Sequence, residues 1–298
     1  MNLNKLTLKD KKLFNTYLAQ DQHDLAVFSF ANIYIWRCLY KINWVILEDS
    51  LCIFFQDAVG CFMYLPPLAR EIKPAVIKAS FSVMDGINKN KSISRIENIP
   101  EKDLANYRAL GYLVNDKYPD YLCARNDLAN LRGNKYKSQR AAYNYFIKHY
   151  DFVCQKLKLT DRAPCLALFN FWAKARKAHS NDDLYCAMLD DNYKVIKEAF
   201  VNYQKLDFQG VVVRINKKIS AFSFGYSLNK DTFCILYEIT DLTIKGLAPF
   251  IFRQFCQDLK TYKYINIMDD SGLENLRKVK LSYKPMCLEP AYIVTRDV

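Results

Sequence analysis

The sequence predicts an α+β protein of two similar halves, each a mixed β-sheet flanked by helices. Three observations predict it. The chain has 298 residues and is 51% hydrophobic, enough to bury the cores of two ordinary domains. Two distant stretches, "INWVILEDSLCIFFQDAVGCFMYLP" and "FQGVVVRINKKISAFSFGYSLNKDTFCILYEIT", each read as three antiparallel strands joined by short polar turns. Each is followed by helix, strand, helix and strand patterns in the same order.

The elements follow in chain order. Thr7 is placed to cap "LKDKKLFNTYLAQ", with Asp10 at the capping-box position and Leu13, Phe14, Tyr17 and Leu18 on one face. "FANIYIWRCLYK" reads as a second short helix. The first three strands break at Glu48-Asp49 and at Asp57–Gly60, and Pro66-Pro67 ends them. "PAVIKASFSVMDGINK" is helical and "SISRIENIP" is a strand. Pro100 opens the helix "EKDLANYRAL", a proline at the first helical position, and "DYLCAR" is a short strand.

In the middle, "KYKSQRAAYNYFIKHY" places Tyr136, Tyr143, Phe146 and Tyr150 at helical spacing. "DRAPCLALFNFWAKARK" does the same with Leu166, Phe169, Trp172 and Ala173, and "DLYCAMLDDNYKVIKEAFVNYQKL" is a long helical pattern. The last third has tight turns at Asn216-Lys217 and Asn229-Lys230. It continues with the helix "LAPFIFRQFCQDLK", the strand "YINIM", the helix "LENLRKVKLSY" and the strand "AYIVT". Each half therefore runs β-β-β-α-β-α-β, the order of a GNAT-type acyltransferase module. The expected domains are an N-terminal module at 1–134 and a C-terminal module at 135–298, the latter opening with a basic helical junction at 135–177.

Charge is unevenly spread. The net charge is +12, and residues 135–177 hold 10 Lys/Arg against 2 Asp/Glu. So local an excess points to phosphates, anionic lipid or RNA, against the plainer reading of a solvated helix pair. The ten cysteines contain no C-x-x-C pair, and most lie in apolar runs such as "RAPCLALF". That pattern disfavours zinc and disulfides and fits a reducing, cytoplasmic setting. The N-terminal "MNLNKLTLKDKKLF" has no signal-peptide core, and no apolar run approaches the ~20 residues of a membrane span. Any membrane contact is expected to be peripheral.

Two motifs carry a family resemblance. In "LRGNKYKSQRAAYNYF" they are Leu131, Gly133, Lys135, Arg140, Asn144 and Phe146. In "NIMDDSGLENLRKVKLSYKP" they are Asn266, Asp269, Gly272, Leu276, Arg277, Lys280, Tyr283 and Pro285. With these, the chain from about residue 20 to 295 resembles a bacterial family of tandem GNAT-fold proteins related to the phosphatidylglycerol lysyltransferase C-terminal domain. Ala141 stands where that pattern has a second Asn, and Met268 where it often has a carboxylate. The resemblance implies transfer of an acyl group from an activated ester, such as aminoacyl-tRNA, to an amine or hydroxyl.

Such a reaction needs a proton acceptor, an oxyanion donor and a place for the carrier's phosphates. Glu238, on the third strand of the second half, is the candidate base or ammonium anchor. Asp269 is a candidate ammonium anchor, and Tyr283 a candidate oxyanion donor. Lys135, Lys137, Arg140, Asn144, Arg277 and Lys280 are candidate phosphate or substrate contacts, the last two on one helix face. Asp270 has a plainer reading, as cap of the next helix. His23, His149 and His179 are scattered, without a triad or metal-site arrangement.

The rival donor is acyl-CoA, which needs small residues and free N–H groups at a helix N-terminus. "DLTIKGLAPFIF" offers one glycine, Gly246, while Pro249 lacks an N–H, and no G-x-G occurs. The remaining alternative is a non-catalytic RNA- or anionic-lipid-binding module.

Overall fold

In the computed structural model, which describes residues 2–297, the chain forms two compact units. The first comprises Met1–Asp120, Asp269–Gly272 and Leu288–Val298. The second comprises Tyr121–Met268 and Leu273–Cys287.

The first half of the chain runs β1 (Asn4–Lys5), α1 (Lys11–Leu18), α2 (Phe30–Ile35), β2 (Lys41–Leu47), β3 (Ser50–Gln56) and β4 (Cys61–Met63). It continues with α3 (Pro74–Ile87), β5 (Arg95–Pro100), α4 (Leu104–Ala109) and β6 (Leu113–Ala124). Asp10 accepts the Thr7 N–H at 2.7 Å, as the capping box requires, with a short 3-10 turn before α1. The β2–β3 register pairs Leu47 with Ser50 across a two-residue turn, Glu48 and Asp49, both left-handed (φ 43° and 66°). That is the turn whose twist suits a tight hairpin. Pro100 ends β5 and precedes a 3-10 turn, one residue earlier than a first-helical-position proline. The core packs α3 and α4 on the strands through Phe81, Tyr107, Ile96 and Met63.

The second half runs α5 (Arg125–Asn130), α6 (Lys137–His149), β7 (Phe152–Lys156), α7 (Arg162–Lys177), α8 (Asp183–Val201), β8 (Gln209–Ile215) and β9 (Lys218–Ser227). Then come β10 (Thr232–Thr240), α9 (Leu247–Asp258), β11 (Tyr264–Asn266), α10 (Glu274–Ser282) and β12 (Cys287–Thr295). The β8–β9 hairpin repeats the first: Ile215 pairs with Lys218 across left-handed Asn216 and Lys217. The strand β7 has no counterpart among the sequence-predicted elements.

The terminal strands are exchanged. In the first unit, β12 pairs antiparallel with β5, Ala291 opposite Pro100. In the second, the end of β6 pairs antiparallel with β11, Cys123 opposite Ile265. The expected boundary at 134/135 follows the sequence repeat, whereas the compact units part at Asp120/Tyr121, and residues 288–298 return to the first. A repeat in sequence does not specify which sheet its last strand joins.

Helices cover both faces of the second unit's sheet. On one, α9 and α6 pack on Val211, Val213, Ala221, Phe233 and Ile235. On the other, Phe200 of α8 packs on Phe222 and Phe224, and Phe169 of α7 meets Tyr237.

Candidate functional site

The second unit's sheet opens between β10 and β11. These parallel strands pair over three residues only, Thr232–Cys234 against Tyr264–Asn266. Beyond Cys234, β10 continues to Thr240, held on its other side by β9. A register shift between Ile235 and Tyr237 inserts one extra residue, Leu236. Because side chains alternate, one inserted residue exchanges the two faces downstream. Phe233 and Ile235 face α9; after the bulge Tyr237, opposite Phe224, turns to the α7–α8 face. Glu238, opposite Ser223, therefore takes the α9 face. The bulge places a carboxyl where unbroken alternation would place a phenol.

Glu238 is half-buried and makes no hydrogen bond or ion pair with the described residues. Burial pushes its carboxyl up to about 8, against the opposing pull of Lys280. Such a group exchanges its proton near neutral pH, as a general base or acid must. Lys280 is itself buried, and its ammonium donates to the Ile267 carbonyl and, at 3.2 Å, to that of Met268. It also lies 5.9 Å from the Tyr121 ring centroid. Its place is thus at the end of β11, setting the field around Glu238, with its ammonium held by main-chain carbonyls. Tyr283 packs tilted on Phe252 with ring centroids 4.0 Å apart, and its carbonyl accepts the Tyr136 hydroxyl at 3.2 Å. Burial, then the charge of Glu238, raises the Tyr283 phenol well above its ordinary value, so it stays a proton donor. The thiol of Cys256 on α9 responds to the same surroundings: burial, then Cys123 and Glu238, raise it. The structure thus brings together Glu238, Lys280 and Tyr283.

The first motif is chiefly architectural. Leu131 ends α5 in a left-handed conformation (φ 53°) and Gly133 is left-handed too (φ 83°). Arg140 donates to the carbonyls of both, at 2.8 Å to Gly133, and so fastens the loop to α6. Lys135 pairs with Asp127 at 2.7 Å. Arg140 is therefore occupied within the fold, while Lys137 and Asn144 are exposed and make no side-chain hydrogen bond among the described residues. The same holds for Arg277 on α10. Tyr136 and Phe146 are buried, and Tyr143 stacks on Phe250 at 5.5 Å.

The basic stretch 135–177 does not form a single face. Its α6 cations lie on the α9 side, which also carries Glu238, while those of α7 lie on the opposite side. At the start of α9, Gly246 (φ 84°) abuts α6: a Cβ there would drive into the Ala142 carbonyl. The backbone of α6 thus packs closely beside the α9 N-terminus, the place a CoA pyrophosphate would use.

In the first unit, Asp269 and Asp270 close turns on their own loop. Asp269 accepts from the Ser271 N–H at 2.7 Å and hydroxyl at 3.1 Å, and Asp270 from the Gly272 N–H at 3.0 Å. Neither caps α10, whose N-cap is Leu273 without a side-chain cap. Gly272 (φ 71°) lies against the Tyr118 hydroxyl, which leaves no room for a side chain.

Sequence reasoning missed a polar group in the same unit. Glu97, buried, pairs with Lys117 and Arg95, each at 2.7 Å. Its neighbour Asn98 is left-handed (φ 56°) and donates to the Tyr64 carbonyl at 2.8 Å. Here β4 and β5 pair only at Met63 and Ile96, and β5 bulges against β12. The available signal was an acid and an amide inside the apolar run "SRIENIP".

Comparison with known proteins bears on the family and the fold. The family model described as "Phosphatidylglycerol lysyltransferase, C-terminal" matches residues 21–295. A conserved protein of unknown function from Bacteroides thetaiotaomicron VPI-5482 is 26% identical, with TM-score 0.89 over 100% of both chains. L-PGS from Bacillus licheniformis is 16% identical, with TM-score 0.65 over 96% of this chain and 92% of that one. A tandem GNAT protein from the clavulanic acid biosynthesis pathway shares the fold at 7% identity, TM-score 0.55, over 100% of this chain and 99% of that one. No curated protein sequence matches. Among the described residues no helix is long and apolar enough to cross a membrane. The α+β tandem GNAT-like fold and the match along nearly the whole chain make this protein a member of the phosphatidylglycerol lysyltransferase C-terminal family.

Proposed function

We propose that the protein is a cytoplasmic aminoacyltransferase that moves an aminoacyl group from aminoacyl-tRNA to an amine or hydroxyl acceptor. The observation that carries this is Glu238: an unpartnered, half-buried carboxyl at the opening of β10 from β11, with its proton held to about 8. Glu238 takes the proton of the attacking N–H or O–H as the new bond to the acyl carbon forms. It returns that proton to the departing ribose oxygen as the ester C–O bond breaks. The neutral Tyr283 phenol is the donor for the developing oxyanion. Lys137 and Asn144 on α6, and Arg277 on α10, supply contacts for acceptor-stem phosphates.

A lysyl- or alanyl-tRNA transfer assay with phosphatidylglycerol vesicles or small amines as acceptors tests the reading. Glu238→Gln is expected to lower the rate at least ~100-fold, the usual worth of a positioned proton acceptor. Full activity in that variant would remove Glu238 from the reaction. Turnover with acetyl-CoA in place of aminoacyl-tRNA would favour the acyl-CoA reading, which the single glycine of the loop and the missing N–H of Pro249 weigh against.

A further inference from the structure

Ser223 presents a hydroxyl that the fold leaves without a partner. The residue is fully buried, and its Oγ makes no hydrogen bond among the described residues. An unmet buried hydroxyl costs about 1–3 kcal/mol, and such groups in native proteins call for a specific reason. On its face of the sheet Ser223 is flanked by Val211 on β8 and by Ala221 and Gly225 along β9, none of which has a polar side chain. Directly across β10 is Glu238. Side chains opposed in this way have Cβ atoms about 4.5–5.5 Å apart. A serine that turns about its single side-chain bond to its neighbour can therefore reach the carboxyl.

We propose that Ser223 is a positioning residue for Glu238: its hydroxyl turns to donate to the carboxylate once the proton has left. The hydrogen bond is strongest in the base state, where it orients the accepting oxygen, and weakens when Glu238 takes up a proton. The Glu238 proton goes to solvent in the resting protein. Other groups around the carboxyl are Lys280 and Tyr283 of α10, Cys256 of α9 and, beyond Cys256, Cys123 of β6. Lys280 already donates to the Ile267 and Met268 carbonyls, and Tyr283 and Cys256 keep their protons.

This proposal deepens the reading of Glu238 as proton acceptor, but its test needs no substrate. Full-length protein carrying 13C-carboxyl glutamate is titrated by NMR, with the Glu238 resonance identified by its loss in Glu238→Gln. In Ser223→Ala the Glu238 midpoint is expected to rise by about one pH unit, a tenfold change in ionisation. Ser223→Cys, nearly equal in volume with a weaker donor, is expected to fall between, and carries the test if the alanine variant does not fold. A midpoint unchanged or lowered in the folded variant overturns the proposal. The transferase reading fails separately, by full transfer activity in Glu238→Gln.

Discussion

Ala142 of α6 and Gly246 at the start of α9 meet backbone to backbone, with the Ala142 carbonyl in the space that a Cβ on Gly246 would fill. Gly246 also needs its left-handed conformation, φ 84°. Gly133 shares the positive φ, 83°, but has an extended ψ of 172°, and open space around it. Gly246→Ala is therefore expected to cost about 3 kcal/mol, from αL strain plus the collision, and Gly133→Ala about 2 kcal/mol, from strain alone in a conformation that essentially only glycine adopts. Urea unfolding of the two variants measures the difference.

The same contact predicts the response to CoA. With α6 packed close against Gly246 and Pro249 lacking an N–H, calorimetry with acetyl-CoA is expected to show no micromolar binding. Micromolar binding would favour acyl-CoA as the donor.

Glu238 gives a pH dependence of defined sign. Its folded carboxyl titrates at about 8 and its unfolded one near 4.5. The folded state then holds the extra proton between these values, so stability falls as pH rises from about 4.5 to 8 and is level above. Glu238→Gln removes this slope. The variant is expected to be more stable than the wild type by about 2–4 kcal/mol at pH 9, and the gap to close toward pH 4.5. Urea midpoints across the pH range check it.

Cations of the first motif separate by role. Arg140→Ala leaves the Leu131 and Gly133 carbonyls without their donor and is expected to cost about 1–3 kcal/mol. Lys137→Ala, on an exposed and unpaired side chain, is expected to leave stability within about 0.5 kcal/mol. It is expected instead to reduce the salt dependence of tRNA binding by about one unit of slope in a filter-binding series. Binding that ignores salt would rule out α6 as a phosphate surface.

Glu97 behaves oppositely to Glu238. Burial raises its carboxyl, but Lys117 and Arg95 outweigh that and hold it below its ordinary value. Its stabilising contribution is present above about pH 4.5 and is lost as pH falls through the lowered value. Glu97→Gln leaves two partly exposed cations without their carboxylate and is expected to cost about 1–2 kcal/mol at pH 7, as read from thermal unfolding.

Much of the fold was legible because local chemistry repeated. Glu48-Asp49 and Asn216-Lys217 read as turns because a short polar pair interrupts an apolar β-branched run, and both form left-handed two-residue loops. Tyr136, Tyr143 and Phe146 read as one buried face because their spacing matches a helical turn. Glu238 was legible as an acid on an otherwise apolar strand. Ser223 was not, because a serine becomes notable only when its neighbours prove unable to bond it. Lys280 and Arg140 read as phosphate contacts from charge, yet their partners are carbonyls, which every residue carries and no pattern marks.

By itself the sequence determined the order β-β-β-α-β-α-β in each half and the family signature, because periodicity, turn chemistry and motif spacing are local properties of the chain. Only the tertiary structure decided that β6 and β12 complete sheets outside their own repeat, because strand pairing joins residues far apart in sequence. Only it decided that a single extra residue at Leu236 turns Glu238 toward α9, because which face a side chain takes depends on the register of the partner strand.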